Sequence, residues 1–448
     1  MTLSPDEISL ILRLTRKLAN HDAKNHELER YFEGKNRLKD MRISIPPQLS
    51  TVNSVVGWAG TTVQVLEERL DFEGYIAPDT LGLQDIYRAN DLDVESGLGH
   101  IDSLVYGTSF AVVGKGMEGE ADPLITIESP KRMTGVYNLR LRRLTAALSL
   151  EREDDGAPTT GTLYLPTVTV YLEFVNGRPV DVYRDEHNLG RVPVVAIVNN
   201  PRSSDPHGRS EITRAVRSYT DSAMRTLLGA EIAREFYSAP QRYILGADED
   251  VFKDSDGNDL NAWTVYQGRL LGIPANQDGQ IPTVGQFNAN DTRPYFEQIR
   301  AYAQMLSAET AIPASYLGFQ TDNPASADAI RQMEARLVKR AERRQKQFGR
   351  AWIEVARLAL LVRDGVIPPE AADIRPSWRD PSTPTRAAAA DEAVKLIGAG
   401  VLLPNSEVTY NRIGLSDTDK QILETEKAAS DANQLITNLL TQNQTPAQ

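Results

Sequence analysis

The 448-residue chain has no cysteine, which excludes disulfides and thiolate-bound metals. Its five histidines, His21, His26, His100, His187 and His207, are scattered. No two stand four apart, as ligands on one helix face would, so no zinc or iron site is expected. No apolar run approaches the roughly 20 residues that span a bilayer. No basic, apolar leader follows Met1, so the sequence predicts neither a signal peptide nor a membrane segment, and a protein that assembles in the cytosol. Nucleophile signatures such as G-x-S-x-G are missing. GTSFAVVGKG (107–116) has the wrong glycine spacing for a phosphate loop, and Gly116 stands where a magnesium-binding Ser or Thr is needed. DEDVFKDSDGNDL (248–260) fails as an EF-hand, because Phe252 and Trp263 would occupy its first and twelfth ligand positions. These absences argue against an enzyme and against a cofactor. Positive charge is short as well: 49 Lys and Arg face 61 Asp and Glu, a net charge of −12. Tight gripping of DNA needs a basic surface, so it is disfavoured as the main task of the chain.

What is present reads as α+β. Residues 4–32 carry apolar positions at helix period (Ile8, Ile11, Leu12, Leu14, Leu18), and helical runs follow near 50–69 and 91–106. Short β-favouring runs then appear at Ser109–Gly114, Leu124–Glu128, Thr145–Glu151, Gly161–Phe174 and Val180–Tyr183, the pattern of an antiparallel sheet. A helix is predicted from Ser210, as N-cap, to about Tyr237, with Glu211 favouring its first turn. Residues 241–290 turn strand-like, with Asp256-Gly257 and Asp278-Gly279 turns, before a helix from Asp291 or Thr292 to about Ala311 with Pro294 early. A small β insert between two antiparallel helices is the expectation.

Asn323 and Pro324 then mark a helix start, and only Gly349 interrupts helix-forming sequence up to Asp364. Ile330, Met333, Leu337, Ala341, Phe348, Trp352, Val355, Ala359 and Val362 form its apolar stripe. Arg336, Lys339, Arg340, Arg343, Arg344, Lys346 and Arg350 fill an arc of roughly 160° beside it. Against Glu334 and Glu342 these give residues 334–350 a local charge of +5 in an acidic chain. Such an arc is either a solvated or subunit-facing surface or a contact for a polyanion. A proline-rich connection (367–385) and further helices to about Leu440 complete the chain.

Several segments in this order resemble one family. RYFEGKNRL (30–38), TVNSVVGWAG (51–60) and RLDFEGY (69–75) are similar to its opening helices, LVYGTSFAVVG (104–114) to its helix-to-strand step, and SPKRMTGVYN (129–138) to a following strand pair. VPVVAIVNNP with GRSEITRAVRSYTDSAMR (208–225) is similar to entry into its first stem helix, and IPASYLGFQTDNPASADAIR (312–331) to the segment holding its tunnel loop. The family is that of portal proteins, the head-to-tail connectors of tailed double-stranded DNA bacteriophages, and the likeness is to the long-tailed phage type.

The resemblance implies a portal-type fold: a wing over 1–208, a first stem helix over 209–240, a clip over 241–290 and a second stem helix over 291–311. A tunnel-loop segment (312–326), a long helix with return to the wing (327–386) and a helical crown (387–448) would follow. It implies a dodecameric ring at one capsid vertex of the virion, assembled in the host cytoplasm. Its implied partners are copies of itself, the terminase large subunit, a head-tail adaptor, the major capsid and scaffolding proteins, and double-stranded DNA passing without sequence specificity, with no membrane. Gln320, Thr321, Asp322 and Asn323 would line the channel. Asp256, Gly257, Asp278 and Gly279 would be clip turns that dock terminase or adaptor. Arg336, Lys339, Arg340 and Arg343 would face a neighbouring subunit or DNA, with pairing to a neighbour's acidic residues the main expectation. The alternative is a nucleic-acid-binding regulator using the basic helix 334–350.

Overall fold

The fold is described by a computed structural model over residues 3–38, 54–153, 156–237, 242–246, 279–286, 291–319, 327–382 and 386–415, with isolated positions at 275, 419–420, 422–423 and 425–427. In chain order its helices and strands are α1 (Pro5–Phe32), α2 (Trp58–Glu67), β1 (Phe72–Ile76), α3 (Leu83–Ala89), α4 (Leu92–Tyr106), β2 (Thr108–Gly114) and β3 (Leu124–Glu128). β4 (Met133–Asn138), β5 (Arg143–Arg152), β6 (Pro158–Tyr164), β7 (Thr169–Val175), β8 (Arg178–Asp185) and β9 (Val194–Val198) follow. Then come α5 (Arg214–Tyr237), β10 (Arg242–Leu245), β11 (Thr283–Gln286), α6 (Arg293–Thr310), α7 (Ala327–Asp364), β12 (Arg375–Trp378), α8 (Arg386–Gly398) and α9 (Glu407–Ile413). Helix and strand are mixed throughout, an α+β protein. The chain divides into two units, one made of 1–29, 62–211 and 326–448, the other of 30–61 and 212–325.

In the first unit, β4 to β8 form a five-stranded antiparallel meander in sequence order, and β3-β2-β9 form a second antiparallel sheet. The seven-residue repeat of α1 has a direct purpose: Ile11, Leu14 and Leu18 pack on Leu148, Leu150, Leu163, Val170 and Leu172 of the meander, while Ile8 and Leu12 stay exposed. A second core joins Phe110, Val112, Val192 and Val194 to Met133, Leu144 and Ala147. The run 161–174 is two strands rather than one, because Leu165 N bonds Val168 O and turns the chain back.

Two segments read as helix or connection are strands. β1 overlaps 69–75 and β12 lies within 367–385, and they pair antiparallel, Phe72 opposite Trp378. Their pairing closes an aromatic layer against α7. Phe72 stacks on Trp352 at 5.0 Å, His100 of α4 stacks on Phe348 at 5.0 Å, and Trp378 lies 5.2 Å from Phe72 and 5.5 Å from His100. Trp352 Nε1 donates to His100 Nε2 at 3.0 Å, which fixes the imidazole as the neutral Nδ1–H tautomer. Full burial pushes His100 down to about 3, so it stays neutral. Gly349, the weak point of the helix by sequence, is where β12 crosses: a Cβ there would lie 2.6 Å from Pro376 Cγ and 3.1 Å from Trp378 Nε1.

In the second unit, α5 packs on α6, and Gly229 late in α5 meets Tyr295 in the first turn of α6, so the two run antiparallel. β10 and β11, which follow α5 and precede α6, pair as an antiparallel two-stranded sheet. Asp221 of α5 accepts from Tyr31 Oη at 2.8 Å and Asn36 Nδ2 at 3.2 Å. The Arg217 guanidinium sits 5.9 Å over the Tyr31 ring.

Gly349→Ala tests the crossing. Helix propensity alone would reward the change by about 1 kcal/mol. The clash with β12 should instead give a net loss of about 1–3 kcal/mol, read as a lower midpoint of urea unfolding. A stabilised variant would show that β12 does not cross there.

Candidate functional site

The cationic arc of α7 is divided by the structure into an inner and an outer part. Helix α7 is 38 residues long, about 57 Å. Leu337, Ala341, Phe348, Trp352, Val355 and Ala359 of the anticipated stripe are buried, whereas Ile330 and Met333 at its start are 45% and 50% exposed.

The inner part is held by Glu211. Sequence reasoning gave this residue to the first turn of a helix capped by Ser210. The helix begins instead at Arg214, and Thr213 Oγ1 accepts from Val216 N at 3.3 Å as its cap. Glu211 stays outside the helix, its N–H bonded to Leu104 O at 2.8 Å and its carboxylate buried. Oε1 accepts from Arg344 Nη2 at 2.6 Å and Nε at 3.1 Å, and from Asn199 Nδ2 at 3.0 Å. Oε2 accepts from Arg340 Nη2. Burial alone would raise this carboxyl, but the charges of Arg344 and Arg340 and the bonds from Arg344 and Asn199 hold it below its ordinary value. Arg340 is therefore engaged with Glu211 within its own chain. The two acidic residues of the basic segment are also engaged: Glu334 with Arg69 at 3.3 Å and Glu342 with Lys339 at 2.6 Å.

The outer part comprises Arg336, Lys339, Arg343, Lys346 and Arg350, all exposed. They recur every three or four residues within an arc of about 80° and over about 21 Å of helix. Arg343, Lys346 and Arg350 have no ion pair among the described residues. The Lys339–Glu342 pair is solvent-exposed and weak.

At its C-terminal end this face meets a second basic element that sequence reasoning missed, the β4–β5 turn. Asn138 Oδ1 accepts from the N–H groups of Arg140 and Leu141, each at 3.0 Å, and the turn displays Arg140, Arg142 and Arg143. An asparagine at a strand end before a run of arginines was its only local signal.

The other anticipated residues are placed unevenly. Gln320, Thr321, Asp322 and Asn323 lie outside the described residues, as do Asp256, Gly257 and Asp278. Gly279 is described, with φ +75 and open space around it, as a turn glycine requires. Among the described residues no His/Asp/Glu group could hold a metal, and no helix is long and apolar enough to cross a membrane.

Residues 14–435 match the family described as phage portal protein, SPP1 Gp6-like. The portal protein of Mycobacterium phage D29 is 35% identical over 404 residues, covering 87% of this chain and 82% of that protein. The portal protein of Mycobacterium phage L5 is 34% identical over 384 residues, covering 83% and 78%. A chain of the solved virion of the native gene transfer agent (GTA) particle is 16% identical, with a TM-score of 0.43 over 80% of this chain and 89% of that one. That likeness is too loose to carry weight.

Glu211→Gln keeps the shape but removes the carboxylate charge that the Arg340 and Arg344 guanidiniums share. It should cost about 3–5 kcal/mol, the usual effect of breaking a buried pair, measured by urea unfolding at neutral pH. Because the folded pKa is depressed, this contribution is present above the ordinary value of 4.5 and is lost as pH falls through the folded value. The variant should therefore lose part of the acid-induced fall in stability that the parent shows.

Proposed function

The chain belongs to the SPP1 Gp6-like family of phage portal proteins, and on that premise we propose that twelve copies close into a ring at one capsid vertex of a virion. The ring is a conduit for DNA packaging and ejection, and a platform for the terminase large subunit and a head-tail adaptor. The major capsid and scaffolding proteins are its neighbours while it assembles in the host cytoplasm. The observation that carries this reading is the family match through 14–435, not through the basic helix alone. A regulator built around residues 334–350 has no need of the rest.

Within this reading α5 and α6 are the stem helices, residues 241–290 between them are the clip, 312–326 holds the tunnel loop, and 387–448 is the crown. The antiparallel α5–α6 pair with β10 and β11 at its joined end supports the first two assignments. Gln320, Thr321, Asp322 and Asn323 approach the channel. Being polar and mostly uncharged, they let DNA pass without a strong phosphate grip. The outer cations Arg336, Lys339 and Arg343 pair with acidic residues of the neighbouring subunit, an economical use for a chain of net charge −12. Head-to-tail contacts that close give cyclic symmetry, and a weak contact repeated in every subunit matters.

Purified protein should sediment as a closed ring of 49.6 kDa subunits, about 600 kDa if twelvefold. A monomer or dimer at every concentration, with no ring in procapsids, refutes the reading. Arg343→Glu should impair ring formation before it impairs DNA passage. A variant that assembles normally yet packages poorly would put the outer cations against DNA. Replacing 246–282 by a short linker should abolish terminase or adaptor capture while the first unit keeps its unfolding transition.

A further inference from the structure

The end of α7 and the β4–β5 turn line an open cleft of about 460 Å³ with an unusual composition. Arg142, Arg143, Arg191, Arg350 and Arg357 surround it, with Glu354 the one carboxylate, so four positive charges are left over. Ile367, Pro368, Pro369 and Ala371 supply an apolar wall on one side.

The site is built rather than merely decorated. Glu354 receives Arg191 Nη2 at 2.6 Å and Arg357 Nη1 at 2.8 Å. Arg357 also donates to Ala371 O at 3.4 Å, so both guanidiniums are oriented before any ligand arrives. Burial would raise the Glu354 carboxyl, but the bonds and charges of Arg191 and Arg357 hold it below its ordinary value, so it remains an anchor. Arg191 is nearly buried, and its Nε–H has no acceptor among the described residues. Arg142, Arg143 and Arg350 are exposed and have no ion pair among the described residues.

The geometry points to a binding site for phosphate-bearing anions, with Arg191 and Arg357 as the fixed floor and Arg142, Arg143 and Arg350 as the closing side. All five cations are arginine, whose planar fork suits bidentate contact with phosphate or carboxylate and never loses its charge. The cavity falls within the range of small-ligand pockets. It has little room for the four acidic side chains and backbone that would be needed to match the surplus, whereas a polyphosphate, or adjacent phosphates of a nucleic acid strand, concentrates that charge in a small volume. The inference rests on the arginine geometry and does not require the ring.

The test uses inorganic tripolyphosphate, a fluorescent oligothymidylate and a polyglutamate peptide, titrated onto the full chain at low salt. Tripolyphosphate should bind, and Arg142→Ala with Arg143→Ala should weaken it by about tenfold per guanidinium removed. These are exposed turn residues without ion pairs, so the fold should be unchanged by circular dichroism, and Arg350→Ala provides an independent second variant. Displacement of the oligothymidylate by tripolyphosphate would identify nucleic-acid backbone as a source of the phosphate. Binding of tripolyphosphate alone would identify free phosphoanions. The inference is overturned if tripolyphosphate does not bind, if all these variants bind it as well as the parent, or if polyglutamate binds in its place.

Discussion

A single buried carboxylate, Glu211, sets how α7 is turned about its own axis. A guanidinium without an acceptor is expensive to bury, so Arg340 and Arg344 keep facing the Glu211 carboxylate, which reaches both. On the helical wheel these two residues lie between the apolar stripe and the outer cations. Anchoring them turns Leu337, Ala341, Phe348 and Trp352 inward and leaves Arg343, Lys346 and Arg350 outside. Asn199 supports the carboxylate from the end of β9 and also donates to Arg209 O at 2.6 Å, so the strand exit and the helix are tied through the same group.

The aromatic layer one turn further along depends on that rotation. Trp352 reaches both Phe72 and His100 only because α7 presents the same face to β1 and α4. Gly349 lets β12 pass close over this face, and the short β1–β12 ladder then covers the layer. Ring stacking and a neutral imidazole make this a dry packing core, and His100 is a structural residue there rather than a titrating one.

Charge is distributed by the same logic. The chain is acidic, yet several of its arginines are committed internally, Arg69 to Glu334, Arg184 to Glu7 and Asp181, and Arg191 and Arg357 to Glu354. What remains outside on α7 and the β4–β5 turn is a concentrated positive face in an acidic setting. For a phage portal protein such a face suits a partner that is acidic or phosphate-bearing.

Much of this was legible in the sequence, for a physical reason. Helix periodicity and turn chemistry are written within one or two turns of chain, so α1, α4, α6 and most of α7, and the strands β2, β3 and β8, stood near their observed positions. The ordered motifs were enough to point to the family. What sequence could not supply was partnership across distance. β1 and β12 are four or five residues each and meet across about 300 positions, with no internal signal that either is a strand. Glu211 carries the marks of a helix start, and nothing local indicates that Arg340 and Arg344 will claim it. Arg142, Arg191 and Arg357 converge only because a hairpin turn, the approach to β9 and the end of α7 are brought together. The sequence by itself determined most of the elements, the balance of charge and the family. Only the tertiary structure decided which charges are neutralised inside and which are left for a partner, because an ion pair depends on the register and rotation of whole elements rather than on any residue's neighbours in the chain.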